Sequence, residues 1–228
     1  MMRIIRLLLV CCLVACTTTK APQAADAGLY TVPQEWAATV HDGWFSAKTY
    51  SIGPYNTGSR QNGVAKPGLP PSIQHPKEAF YYTLSGPSGS LAIQTLNTVH
   101  VALTDHALPS FLSNTPGSTP FFYALFHDPA PTAPRWELIL RSATYLELNN
   151  NSPIGVLMLG STAYRVTAHN HFGIVNSYEK ITYEIRDHGK ALAAVMPGAQ
   201  PRIWVSKTAT PQQQLLFAGV ISALLLRG

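Results

Sequence analysis

The stretch TPQQQLLFAGVISALLLRG, residues 210–228, decides the fold that this sequence predicts. No charged side chain lies between Lys207 and Arg227. Thr210 suits a helix N-cap, Pro211 suits the first helical position, and Gln213 stands where a capping box requires it. The sequence therefore predicts a helix over 211–226 that is apolar on every side.

The length of this helix indicates how its surface is covered. At 1.5 Å per residue, its uninterrupted apolar part, 215–226, extends about 18 Å, whereas the hydrocarbon core of a membrane is about 30 Å thick. A helix that is apolar all round must be surrounded all round, and most of the remaining chain predicts strands. We therefore expect a closed or strongly curled sheet around it.

Before this helix, short runs of aromatic and β-branched residues alternate with stretches rich in Pro, Gly, Ser and Asn. The predicted fold class is mainly β: an antiparallel barrel of about twelve strands around the C-terminal helix, or alternatively a β-sandwich with the helix packed on it. The predicted strands are 44–50, 79–84, 90–96, 100–104, 121–126, 136–141, 144–148, 154–159, 163–168, 180–186, 190–196 and 202–206. The long connections 51–77 and 105–120 are expected to be binding loops or insertions.

One predicted hairpin has a clear pattern, because residues 181–186, ITYEIR, alternate apolar and polar side chains. One face is expected to be buried and the other to be wet. The buried face carries Ile181, Tyr183 and Ile185, and the wet face carries Thr182, Glu184 and Arg186. Residues 187–190, DHGK, supply a turn in which Gly189 can adopt a positive φ.

Residues 1–15 begin with Arg3 and Arg6 and continue with an apolar run, as in a signal peptide. The segment Leu13-Val14-Ala15-Cys16 resembles the lipobox of bacterial lipoproteins. The resemblance implies cleavage before Cys16, diacylglycerol on its sulfur and an acyl chain on its new amino group. An uncleaved membrane helix is the alternative.

The resemblance also indicates where the protein resides. An aspartate after the cysteine retains such lipoproteins in the inner membrane, so Thr17 favours the outer membrane, with the domain facing the periplasm or the cell surface. Residues 16–29 would then be the lipidated cysteine and a flexible tether, and 30–228 a single β-rich domain.

Cysteine content and net charge argue against a disulfide-bonded protein and against a nucleic-acid-binding protein. Cys11, Cys12 and Cys16 all lie at or before the predicted cleavage point, so the mature protein would form no internal disulfide. The chain carries 16 Lys and Arg against 11 Asp and Glu, a net charge of +5, and loss of Arg3 and Arg6 leaves 14 − 11 = +3. The basic residues are scattered singly, so we expect no nucleic-acid partner.

The runs KITYEIRDHGKALAAV, PRIWVSK and TPQQQLLFAGVISALLL, within 180–226, resemble the tubby C-terminal-like group, which includes the tubby, LURP-one-related and phospholipid scramblase families. The resemblance implies a twelve-stranded barrel wrapped around a hydrophobic helix. The phosphoinositide-binding tubby proteins have a basic cluster that this sequence lacks, so no lipid head-group site is carried over.

The motifs of several enzyme classes are missing from the sequence, which has no Gly-x-Ser-x-Gly elbow, no phosphate-binding glycine loop and no His-Glu-x-x-His pair. His169 and His171 would face the same way on a strand and could bind one metal ion, with Asp187 or His188 as a third ligand. The alternative is a strand end whose histidines meet solvent or bond to backbone.

Four histidines stand beside carboxylates in the sequence, as acid/base catalysis would require. Neighbours in sequence point opposite ways on a strand, so none of these pairs is expected to form a catalytic dyad. The pairs are His41-Asp42, Asp105-His106, His127-Asp128 and Asp187-His188.

These features together predict a lipid-anchored bacterial envelope lipoprotein. We expect it to be non-enzymatic, to need no cofactor, and to bind a partner protein or an apolar or lipid ligand. The alternatives are a structural subunit of an envelope assembly and an envelope hydrolase that uses a His/Asp pair.

The lipobox gives a direct prediction for Cys16. Replacing it with serine removes the thiol that carries the lipid, so Cys16→Ser should abolish both lipidation and the cleavage that depends on it. Metabolic labelling with a fatty acid, together with the mass of the product, measures both effects. A domain expressed from Ala21 should be soluble, and its recovery only in the membrane fraction would contradict Cys16 as the sole anchor.

Overall fold

The computed structural model describes residues 28–43, 47–66, 68–103, 107–115, 117, 119–128 and 135–227. The fold is mainly β, as predicted. The strands are β1 Glu35–Trp36, β2 Ala38–His41, β3 Thr49–Ile52, β4 Tyr55–Thr57, β5 Gln61–Asn62, β6 Lys77–Gly86, β7 Gly89–Thr98, β8 Phe121–His127, β9 Arg135–Leu140, β10 Pro153–Leu159, β11 Thr162–His169, β12 Thr182–Asp187, β13 Lys190–Met196 and β14 Arg202–Val205. The helices are α1 Ser110–Ser113, α2 Tyr145–Asn149 and α3 Pro211–Leu226, with a 3-10 turn at Val32–Gln34. The predicted signal peptide and Cys16 lie outside the described residues.

These strands form one antiparallel sheet, which runs in the order β1-β14-β13-β12-β11-β10-β9-β8-β7-β6-β4-β3-β2, with β5 paired to β6 off this path. The first and last strands of the path are separated in the chain only by Ala37. Glu35 pairs with Trp204 at one edge, and Ala38 pairs with Ile52 at the other. Segment 35–41 therefore joins the two edges, and the sheet is a nearly closed barrel.

Helix α3 packs against the inner face of this barrel, as predicted. Its residues from Leu215 to Leu226 are all buried. The helix contacts β13 and β14 near one end of the strand order, β3 and β4 near the other, and β6, β7 and β8 between them. The sheet therefore curls around a helix that has no apolar side left exposed.

Local contacts define both the start of α3 and its close fit. The capping box forms, because Thr210 Oγ1 accepts from the Gln213 N–H at 3.3 Å and Gln213 Oε1 accepts from the Thr210 N–H at 2.9 Å. A Cβ on Gly219 would lie 3.2 Å from side-chain carbons of Leu91 and Phe126, so a small residue is needed there. The helix boundaries 211–226 are those predicted.

The outer face of the sheet is also covered over much of its area. Tyr123, Leu125 and Ile139 belong to a second buried cluster, which Leu103 and Leu112 complete. Leu112 lies in α1, within the predicted long connection 105–120, and the other long connection contains β4 and β5. In their described parts, these connections are layers of the fold rather than simple loops.

Two of the predicted strands are wrong. Residues 144–148 lie largely in helix α2, because Thr144 Oγ1 accepts from the Glu147 N–H while Glu147 Oε2 accepts from the Thr144 N–H, a second capping box. Residues 100–103 form only an isolated bridge between His100 and Gln74. Conversely, β1 and β2 were not predicted, since such short strands carry little local signal.

Within the described part of the chain, no helix combines the length and the apolar character needed to cross a membrane.

The burial of α3 predicts the effect of a charge inside the barrel. Val220 is fully buried, so Val220→Asp places an unpaired carboxylate in an apolar interior. The free energy of unfolding should fall by several kcal/mol, which approaches the whole stability of a typical domain. Urea denaturation followed by circular dichroism measures this loss.

Gln212 provides the matched control in the same helix, because its side chain is exposed in the first turn, where a carboxylate is favourable. Gln212→Asp should leave the free energy of unfolding unchanged or slightly raised. Equal stability of the Val220→Asp and Gln212→Asp proteins would contradict the buried position of the helix.

Candidate functional site

The outer face of β11 and β12 departs most clearly from the sequence prediction. Thr182 and Glu184, expected on a wet face, are both 0% exposed. The alternation of faces along the strand does occur, but the second face is covered by segments from elsewhere in the chain. Tyr30 and Asn151 contribute hydrogen bonds to this cover. The prediction of a wet face is therefore wrong.

The N-terminal segment is held in place by aromatic contacts. The Tyr30 ring meets the rings of Phe172 and Trp204 edge to face, with centroids 5.2 and 5.0 Å apart. Leu29 is buried in the same cluster, beside Ala191. Among the described residues, Leu29 is thus the first that packs into the core, one residue before the predicted domain start.

Glu184 is the centre of a buried hydrogen-bond network. Tyr30 Oη donates to its Oε1 at 2.5 Å, and Asn151 Nδ2 donates to its Oε2 at 2.7 Å. Thr167 Oγ1 also donates to Oε2, at 3.3 Å, and the Arg186 guanidinium forms an ion pair with the same oxygen. A buried carboxylate with this many donors is well satisfied.

His169 joins the network from β11 with both ring nitrogens engaged. Its Nδ1 accepts from the His171 N–H at 3.2 Å, so the proton of the neutral ring lies on Nε2. Nε2 is 2.8 Å from Tyr30 Oη, whose own hydrogen points to Glu184. The hydrogen bonds therefore run in one direction, from His169 through Tyr30 to Glu184.

The network changes the acidity of two of its groups. Burial by itself would raise the pKa of Glu184, but the close approach of His169, whose Nε2 lies 3.4 Å from Oε1, and the hydrogen bonds from Asn151 and Tyr30 outweigh it and hold that pKa below its ordinary value. Burial is the main cause that lowers the pKa of His171 below its ordinary value.

The proposed metal ligands are brought together only in part. The rings of His169 and His171 stack with centroids 4.2 Å apart. The candidate third ligands, Asp187 and His188, lie at the far end of β12, since His169 pairs with Thr182 at its near end. No group of three or more potential metal ligands occurs among the residues that the structure describes.

The four histidine–aspartate pairs that are adjacent in the sequence differ in the contacts that their side chains make. His188 Nδ1 lies 2.7 Å from Asp187 Oδ1, because these neighbours sit at a turn in which His188 and Gly189 both have positive φ. The argument for strand neighbours does not apply to this pair, because the predicted turn over 187–190 forms between β12 and β13. His41 Nε2 instead meets Ser51 Oγ, and His127 Nδ1 meets the backbone oxygen of Asp128. Asp105-His106 lies outside the described residues.

A polar cleft of about 520 Å³ opens beside this network. Arg165 and Arg186 pair directly across β11 and β12, so two guanidinium groups lie on the same side of the sheet. Side chains that line the cleft include Asn151, Arg165, Thr167, Arg186, Asp187 and His188. The cleft thus shares Asn151, Thr167 and Arg186 with the buried network.

The second exposed feature is a cluster that we term the apolar patch: Tyr145, Leu146, Ile174, Val175 and Tyr178. These five are among seven large hydrophobic residues that are exposed in the described part of the chain. The rings of Tyr145 and Tyr178 lie 4.1 Å apart between centroids, and Asn149 Nδ2 donates to Asn176 Oδ1 at 2.7 Å. Helix α2 and the loop between β11 and β12 are therefore joined into one surface.

An ion pair between Glu147 of helix α2 and Arg141 fixes the helix in position. Hydrogen bonds from Arg141 lower the pKa of Glu147 to about 2, against the effect of partial burial, so Glu147 stays ionised. The sequence prediction missed the patch because it assigned 144–148 to a strand. The Thr144-x-x-Glu147 spacing was the signal that could have revealed the helix.

Comparison with known proteins finds no family model, no curated protein and no solved structure that matches this chain. The fold therefore defines the class only as a nearly closed antiparallel barrel with an internal helix, and the function must be argued from the chain's own surface.

The network predicts a pH-dependent loss of stability. Since the pKa of Glu184 is depressed in the folded state, its contribution is present above its unfolded pKa of about 4.3 and lost as pH falls through the folded value. Glu184→Gln should therefore destabilise strongly at pH 7, and the difference from the parent protein should shrink below about pH 4. Urea denaturation across pH measures this, with exposed Glu179→Gln as the control expected to change stability by less than about 0.5 kcal/mol. A Glu184→Gln difference that is constant down to pH 2 would contradict the network.

The hydroxyl group of Tyr30 is expected to contribute to stability in addition to its ring. Tyr30→Phe keeps the ring contacts but removes a hydrogen bond to a buried carboxylate, which should cost about 1–3 kcal/mol in the free energy of unfolding. Tyr178→Phe, at an exposed tyrosine, should change it by less than about 0.5 kcal/mol. Equal effects of the two substitutions would show that Tyr30 contributes only its ring.

Proposed function

We propose that this chain is a lipid-anchored envelope lipoprotein whose barrel is a non-enzymatic module that binds a partner protein through the apolar patch. The apolar patch is the observation that carries the proposal. Leu146 is 73% exposed and Val175 is 68% exposed, although most of the other large aliphatic side chains that the structure describes are buried. Contiguous exposed apolar surface of this kind marks interaction sites.

The composition and support of the patch favour a protein partner. Tyrosine side chains offer a large contact area with few rotatable bonds, and they are enriched in the cores of protein interfaces. The rings of Tyr145 and Tyr178 are already in contact with each other, so little conformational freedom is lost when a partner covers them. A small apolar ligand is less well suited, because helix α3 already occupies the inside of the barrel.

The arrangement of the polar groups supports a non-enzymatic role. The hydrogen-bonding atoms of His169, Tyr30 and Glu184 are directed at one another within the buried network. The Asp187–His188 pair is exposed at a turn, with the His188 side chain 97% exposed. General acid/base catalysis needs a proton donor or acceptor held against substrate in a shielded site, and neither group offers that arrangement.

The proposed anchor supports the same reading. Tyr30 packs on Phe172, which lies two residues before Ile174 of the apolar patch. Residues 17–28 span at most about 40 Å when fully extended, so a lipid on Cys16 would hold the patch close to the membrane surface. A partner in the envelope would therefore meet the patch at a raised local concentration.

Site-specific photo-crosslinking in cells tests the proposal. A photoreactive amino acid at Val175 should give a discrete protein adduct, and Leu146→Ser in the same chain should weaken that adduct by removing a neighbouring contact. Val32 is 84% exposed and lies outside the patch, so the same probe at Val32 provides the matched control and should give no such adduct.

The outcomes separate this proposal from its alternatives. Adducts of equal yield from positions 175 and 32, or adducts with lipid alone, would contradict partner binding through the patch. A structural subunit of an envelope assembly would instead convert nearly all of the protein into a single adduct of fixed stoichiometry. Retention of the cellular phenotype by His188→Ala would count against a hydrolase built on the Asp187–His188 pair.

A further inference from the structure

The polar cleft holds an arrangement of charge that the apolar patch does not explain. Arg165 on β11 and Arg186 on β12 occupy directly opposite positions in the sheet register. Directly opposite residues in an antiparallel pair have Cβ atoms about 5 Å apart, and like charges at such positions are destabilising. Two arginines placed this way therefore need anionic groups close by.

The two guanidinium groups at the cleft differ in their partners. Arg186 is paired with Glu184, and its guanidinium also donates to the Gly189 carbonyl oxygen. Asp187 Oδ1 lies 2.7 Å from His188 Nδ1. Within the described part of the chain, Arg165 has neither an ion-pair nor a hydrogen-bond partner. One exposed guanidinium thus faces the cleft beside a second that is fixed in position.

The geometry points to a binding site for a single carboxylate group in this cleft, held between Arg165 and Arg186. A volume of about 520 Å³ lies within the range of small-molecule sites. The planar fork of a guanidinium matches the two oxygens of a carboxylate. Because only Arg165 of the two guanidinium groups has no acidic partner in the described part of the chain, the single charge of a carboxylate suits the site better than a phosphate, which carries nearly two negative charges.

The other walls of the cleft suit the remainder of such a ligand. Pro153 and Ala163 supply apolar contacts, while Asn151 and Thr167 supply polar ones. Asn151 donates through Nδ2 to Glu184, which leaves its buried Oδ1 without a partner. An acidic small molecule or the carboxylate of a peptide has the chemistry that this site recognises. The site is separate from the apolar patch, so it goes beyond the proposed function.

Nuclear magnetic resonance titration of the full-length protein in detergent tests the inference, with N-acetylglycine as the carboxylate probe and N-acetylglycinamide as its neutral counterpart. N-acetylglycine should shift the amide signals of Arg186 and Gly189 saturably, whereas the amide should not. Arg165→Gln should weaken binding about tenfold or more, because a charge-assisted hydrogen bond is lost. Arg165→Lys keeps the charge and should show an intermediate loss.

Arg135→Gln is the matched control, because Arg135 is exposed at the start of β9 and does not line the cleft. Its binding of N-acetylglycine should change less than about twofold, within ordinary surface effects. Equal losses in Arg165→Gln and Arg135→Gln, equal binding of acid and amide, absence of saturable shifts, or tighter binding of inorganic phosphate would each overturn the carboxylate site.

Two further arms define the source of the carboxylate and separate the two proposals. Two peptides distinguish a terminal carboxylate from a side-chain carboxylate: acetyl-Ala-Ala with a free C-terminus, and an amidated peptide with an internal aspartate. Preferred binding of either peptide supports the site. Leu146→Ser should leave N-acetylglycine binding unchanged. A failed crosslink at the apolar patch would therefore not contradict the carboxylate site. Likewise, failure of N-acetylglycine to bind would not contradict partner binding at the patch.

Discussion

The complete burial of helix α3 is the constraint on which the rest of the structure depends. From Leu215 to Leu226 the helix has no face that can meet water, and its one polar side chain there, Ser222, is satisfied by the Gly219 carbonyl and Tyr82. The sheet must therefore come close to closing on itself. Segment 35–41 provides this by pairing with β14 through β1 and with β3 through β2.

The features that could be predicted from the sequence are those with local causes. The bounds of α3 follow from the Thr210 capping box, and the turn after β12 follows from its glycine. The failures have two physical origins. Helix α2, which the same capping motif at Thr144 begins, is only five residues long and is too short to show a helical periodicity, and β1 and β2 are defined by partners distant in sequence. The burial of Glu184 could not be predicted, because Tyr30 covers it from 154 residues away.

The apolar patch and the polar cleft both lie next to the buried hydrogen-bond network around Glu184, on β11 and β12. Glu184 connects the N-terminal segment through Tyr30 to Asn151, which follows α2. Helix α2 carries two of the five residues of the apolar patch, and Asn151 also lines the polar cleft. A partner at the patch and a carboxylate in the cleft would thus bind beside segments that are joined through the same buried network. The predicted lipid anchor, Cys16, precedes Tyr30 in the chain, and Tyr30 is the residue through which the N-terminal segment joins this network.

Native-state hydrogen exchange tests the central claim about α3 most directly. If the helix lies inside the barrel, its amides from Val220 to Leu224 open only when the whole domain unfolds, so they should exchange as slowly as the slowest amides of the central strands β7 and β8. Their free energies of exchange should equal the global free energy of unfolding. Exchange of these amides through a smaller, local opening, while β7 and β8 remain protected, would contradict an architecture that depends on the buried helix.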